Sequence, residues 1–90
     1  MARTLVLAEE IACPVSSGAA TSFTNATVVR LVNTSTSADH LVTVVETQGG
    51  STIGTFTMLR GSTEYLEKQA SYCVFAADTS VRGTKVGFTA

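Results

Sequence analysis

The sequence predicts an all-β protein, a small single-domain antiparallel β-sandwich or barrel of about seven strands. Threonine occurs 15 times and valine 11 times in 90 residues, and both are stiff at χ1 and suit a pleated surface better than a helix. Short alternating runs recur from end to end, separated by clusters of Gly, Ser, Thr and Asn that read as turns. Leu, Ile, Val and Phe together make up 23 residues against a net charge of −1. That is too apolar and too weakly charged for a disordered chain. No linker or second domain interrupts residues 1–90, so one β-rich domain is expected.

Taken in order, residues 3–7 form an opening strand. Residues 10–15 alternate, with Ile11, Cys13 and Val15 on one face, and Pro14 confines this strand to an edge or ends it. Residues 16–25 are a polar loop with Phe23 as an apolar anchor. Residues 27–33 and 41–46 are two β-branched runs joined by a polar stretch, which reads as a β-hairpin or a sheet-to-sheet corner. Gln48, Gly49, Gly50 and Ser51 make a tight turn. Residues 52–59 follow as a strand with Phe56 and Met58 inward and Thr55 and Thr57 outward. After a turn at Arg60, Gly61 and Ser62, residues 63–70 show both helical spacing and strand character. The shortness of the segment and the flanking glycine turns favour strand. Residues 72–77 and 84–89 close the chain as strands, with Val86 and Phe88 expected inward.

Paired as a hairpin, the central runs place Arg30 opposite Glu46, Val32 opposite Val44 and Thr34 opposite Val42. One face then carries Val28, Arg30, Val32, Val42, Val44 and Glu46. The other carries Thr27, Val29, Leu31, Asn33, Leu41, Thr43, Val45 and Thr47. Neither face is cleanly polar, whereas a free antiparallel sheet separates an apolar face from a wet one. Either some β-branched residues face water, or the second face is covered by a neighbouring subunit or partner. On the second reading, Val28, Arg30, Val32, Val42, Val44 and Glu46 are the candidate partner interface.

The residues needed for other functions are sparse. The six basic side chains are scattered among seven acids, without the concentration that phosphate binding requires, so no nucleic-acid partner is expected. No apolar run approaches the ~20 residues that span a bilayer, and no membrane partner is expected. Glu9 and Glu10 interrupt the apolar start too early for a secretion signal, which favours synthesis in a cytoplasm. Cys13 and Cys73 then read as reduced, buried small hydrophobes. His40 is the single histidine and reads as a loop residue, with no nucleophile or orienting carboxylate at a telling spacing. Neither the cysteines nor the acids show metal-ligand spacing. Gly49 and Gly50 lack the strand and helix context of a phosphate cradle. No catalytic, cofactor-binding or metal residue is therefore assigned, no cofactor is expected, and the chain reads as no enzyme.

Several segments carry a family likeness. Residues 54–68 (Gly-Thr-Phe-Thr-Met-Leu-Arg-Gly-Ser-Thr-Glu-Tyr-Leu-Glu-Lys), 74–77 (Val-Phe-Ala-Ala), 81–88 (Val-Arg-Gly-Thr-Lys-Val-Gly-Phe) and 26–33 (Ala-Thr-Val-Val-Arg-Leu-Val-Asn) resemble small β-rich virion structural proteins of tailed bacteriophages, especially cyanophages. The resemblance implies a non-enzymatic particle component located in the virion and made in the host cytoplasm. Within that group the implied roles are capsid decoration or cementing on the major capsid protein lattice, or a place in the neck, tail or fibre attachment. Its partners would be other virion proteins, above all the major capsid protein, and further copies of itself. A host-glycan-binding β module is the expectation from a different class, although the chain has no Trp and only Tyr65 and Tyr72 as exposed-ring candidates.

Overall fold

The computed structural model describes residues 3–89. Among the described residues there are eight strands: β1 (Arg3–Val6), β2 (Ile11–Ala12), β3 (Val28–Asn33), β4 (His40–Val45), β5 (Thr52–Met58), β6 (Thr63–Glu67), β7 (Cys73–Ala76) and β8 (Val81–Thr89). They form two antiparallel sheets. The five-stranded sheet runs β1-β8-β3-β6 with β2 also on β8, and the three-stranded sheet runs β5-β4-β7. The all-β sandwich expected from the threonine and valine content is what the chain adopts, and residues 63–67 are strand as read. His40 opens β4 opposite Met58 rather than lying in a loop.

β1 and β2 lie end to end along one edge of β8. Val6 pairs with Val86 and Ile11 with Gly83, so five steps on the N-terminal side match three on β8. The surplus forms a bulge at residues 8–10, where Thr84 Oγ1 donates to Ala8 O at 2.7 Å. Past β2 the chain leaves this sheet: Cys13 N–H donates to Val81 O, but Pro14 O accepts from Ala76 N–H in the other sheet. Proline is tolerated here because its carbonyl is used and its missing N–H is not.

The hairpin expected from residues 27–46 does not form; the stretch is a corner between sheets. β3 lies between β6 and β8, and β4 between β5 and β7. Arg30 is paired with Tyr65 and Thr84, not with Glu46, and Val32 and Val44 belong to different sheets. Burial decides between the two arrangements. In the corner, the odd positions of β3 (Val29, Leu31) and the even positions of β4 (Val42, Val44) enter one core from opposite sides, together with Met58, Val74, Ala76 and Val81. A hairpin would have left one of those sets on the outside.

Asn33 fixes the corner. It is fully buried, and its Nδ2 donates to Ala38 O at 3.2 Å and Met58 O at 3.0 Å while Oδ1 accepts from Ser35 N–H at 3.0 Å. Its backbone bonds Ser62 O and Gly61 N–H. A buried amide satisfied on every side is a rigid joint, and losing any partner leaves a costly orphan.

The outer face of β4 is apolar because the chain covers it itself. Val45, Cys73 and Ala20 form a second small cluster with Phe75 packed against it. Ala20 arrives on the 3-10 turn Ser17–Ala19, held by Thr21 and Val74 exchanging backbone hydrogen bonds and by Gln48 Nε2 donating to Ala20 O at 2.9 Å. No partner is needed to explain this part of the second face. Cys13 and Cys73 are both unbonded and buried, in separate clusters.

Phe23 anchors its loop as expected, by an unusual backbone. Phe23, Thr24 and Asn25 have φ of 52°, 59° and 55°, a left-handed turn costing about 1–2 kcal/mol per residue. Ala26 N–H closes it on Ser22 O at 3.1 Å. The ring rests on Gly83, where an added Cβ would come within 2.8 Å of the ring and 2.9 Å of Leu31 Cδ2. Glycine is required there for close approach.

Candidate functional site on the outer face of the larger sheet

Residues paired directly across an antiparallel ladder share a face. The register therefore gathers Thr4 and Val6 of β1, Arg82, Thr84, Val86 and Phe88 of β8, Val28, Arg30 and Val32 of β3, and Tyr65 of β6. Their neighbours Val29, Leu31 and Val81 are buried in the core, so this is the outward face. Phe88, expected inward, stands here half-exposed, whereas Val86 is buried at 3% exposure as expected and Thr84 beside it is buried too. Lys85 takes the opposite side in register with Val29.

The face has an apolar field with a charged margin. The Tyr65 and Phe88 rings lie 5.3 Å apart with a 56° tilt, and the Tyr65 and Thr4 hydroxyls are 3.4 Å apart. The Thr4 hydrogen bond, then the Arg30 side chain, pull the Tyr65 phenol below its ordinary pKa. Val6 is 64% exposed, Phe88 50% and Tyr65 46%. Leu5 and Leu7 on the neighbouring positions of the same edge are also about half exposed. Beside them Glu10 receives Arg82 Nε at 3.0 Å and Arg30 Nη1 at 3.7 Å. The two cations are thus held around one carboxylate supplied by the bulge that follows β1.

The structure divides the six residues expected to share an interface. Val28, Arg30 and Val32 are half-buried on this outer face. Val42 and Val44 point into the core at 0% and 7% exposure. Glu46 is exposed at the β4–β5 turn, where its N–H donates to Ser51 O. Tyr65, Phe88 and Val6 complete the face and were not in the expected set. An aromatic residue at alternate positions of a short strand signals one face but not which one, and their distances along the chain hide that they meet.

Elsewhere a shallow cleft of about 180 Å³ lies between Ala8, Glu9, Ile11, Thr21, Phe23, Thr24 and Lys85. Lys85 Nζ is engaged there with Thr24 O at 3.2 Å. Lys68 is buried with Nζ on Ala26 O at 2.7 Å and on Gln69 O and Ala70 O at 3.3 Å each. Desolvation lowers its pKa, and the three carbonyls make it a tie between the β3 and β6 ends. Among the described residues, no three His, Cys, Asp or Glu side chains gather as a metal site, and no helix is long and apolar enough to cross a membrane.

No family model, curated protein or solved structure matches the chain.

Proposed function

We propose that this protein is a non-enzymatic structural component of a virion, a decoration or cement protein that seats the outer face of its larger sheet on the major capsid protein lattice. The observation that carries the reading is the group of half-exposed apolar side chains that β1, β8 and β6 present on that face: Val6, Phe88 and Tyr65. Water-facing apolar groups set side by side favour burial against a partner. Each fully buried side chain of this kind contributes about 1.5–3 kcal/mol before association costs. The likeness of residues 26–33, 54–68, 74–77 and 81–88 to tailed-phage virion proteins supplies the partner class. On a repeating lattice, weak contacts reinforce one another when several are engaged together.

The test is to purify particles carrying this protein, count it by quantitative mass spectrometry and locate it by cryo-EM. Expected are many copies spread over the capsid lattice with Val6 and Phe88 against the major capsid protein. Absence from particles overturns the proposal. A small fixed copy number at one vertex assigns the protein to the neck, tail or fibre attachment instead.

The exposed Tyr65–Phe88 pair favours a second reading, a module that binds host glycan on an aromatic platform. Glycan-array binding that disappears in Tyr65→Ala supports it, and silence of the wild type across host polysaccharides rejects it.

A further inference from the structure

The smaller sheet ends in an edge that is neither covered nor charged. β7, the opposite edge strand, is occupied by Thr21 and Pro14. In the larger sheet the β6 edge carries Glu64 and Glu67, and Pro14 follows β2. Charges and prolines at such positions keep unpaired strand edges from joining other chains. β5 (Thr-Ile-Gly-Thr-Phe-Thr-Met) has neither a charge nor a proline over seven residues. Its one irregularity is a bulge where Val44 pairs with Gly54 but Val45 with Thr52, leaving residues 54–58 regular.

The hydrogen-bonding direction of this edge follows from the far side of β4. Ala77 N–H donates to Leu41 O, and Glu46 N–H donates to Ser51 O. Odd residues of β4 therefore face β7, and even residues face β5. Phe56 pairs with Val42 and Gly54 with Val44, so these two spend their backbone groups on β4. Thr55 and Thr57 turn N–H and C=O to the open side.

We propose that β5 pairs with β5 of a second copy of this chain, antiparallel about a two-fold axis at Thr55, joining the two smaller sheets into one continuous sheet. The sequence of the strand is self-complementary in this register. Within the regular part of the strand, Thr55 meets its own counterpart and Phe56 meets Gly54 reciprocally. A Cβ built on Gly54 finds no heavy atom within 4 Å, so there is space beside it for the partner's aromatic ring, an arrangement that stabilises glycine in sheets. Thr55 and Thr57 are exposed on the opposite face and form a threonine row of the kind that stabilises cross-strand pairs. With no charge in the strand, self-pairing brings no like charges together. The proposal uses a different sheet from the capsid-facing surface and does not depend on that reading.

Sedimentation equilibrium of the purified full chain tests it, with Thr55→Lys as the disrupting variant and Thr55→Cys as the trapping one. The wild type is expected to dimerise. In Thr55→Lys two ammonium groups meet at the axis and dissociation becomes at least tenfold easier, while circular dichroism of the diluted monomer is unchanged. Thiols introduced by Thr55→Cys lie opposite each other at a spacing a disulfide accepts, so mild oxidation gives a covalent dimer, the native thiols being buried. A wild type that stays monomeric at every concentration overturns the proposal. So does a dimer that Thr55→Lys leaves intact, or Thr55→Cys that fails to cross-link while the wild type dimerises.

Discussion

Cys13 shows how one small side chain ties stability to pH. The thiol is 1% exposed beside Val81 and the main core, and desolvation pushes its pKa up from 9.0 to about 12. The folded value lies above the unfolded one, so the contribution is fully present below pH 9 and is lost as pH rises toward 12. A shift of that size corresponds to about 4 kcal/mol across the window. Urea denaturation of wild type and Cys13→Ala from pH 8 to 11 should show the wild type losing stability more steeply with rising pH. Parallel curves would show that the thiol titrates normally. The residue type had already indicated a buried, unbonded cysteine; its enclosure on every side came only with the β2–β8 pairing.

At the scale of elements, the period-two pattern identified strands but not their neighbours. The runs around Arg30 and Glu46 are strands, but each pairs with other strands and not with the other. Arg30 instead shares Glu10 with Arg82, three residues drawn from β3, β8 and the bulge after β1. A charge-reversal double-mutant cycle should give coupling of about 0.2–1 kcal/mol for Arg30 with Glu10, as for other half-exposed pairs. The same cycle for Arg30 with Glu46 should give coupling indistinguishable from zero, measured by equilibrium unfolding at low salt. Residues 63–70 illustrate the opposite case. Tyr65, Leu66, Gln69 and Ala70 fit a helical spacing, yet hydrogen bonding to β3 along five consecutive pairs holds residues 63–67 extended. Helical spacing over so few residues is weak when a sheet edge is there to be joined.

For the whole molecule, Asn33 and Gly83 carry more of the architecture than their size implies. Asn33 joins the end of β3 to the end of β5 and to both intervening turns. Asn33→Ala should therefore cost about 3 kcal/mol by urea unfolding, since it leaves two carbonyls, of Ala38 and Met58, and the Ser35 N–H without their partner. A loss below about 1 kcal/mol would mean that water replaces the amide and that the corner does not depend on it. Strand identity was legible in the sequence because alternation and β-branching act on neighbouring residues. So were the turns at Gly49 and Gly61, whose φ values of 70° and 74° favour glycine. What the tertiary structure alone decided was which apolar face is covered. Val42 and Val44 went to the core, Val45 to a cluster closed by Ala20, and Val6, Tyr65 and Phe88 to the surface. Those outcomes depend on pairings such as Glu10 with Arg82, 72 residues apart. A local pattern does not encode the choice, because moving a strand to a different sheet exchanges its inner and outer faces while leaving every local preference unchanged.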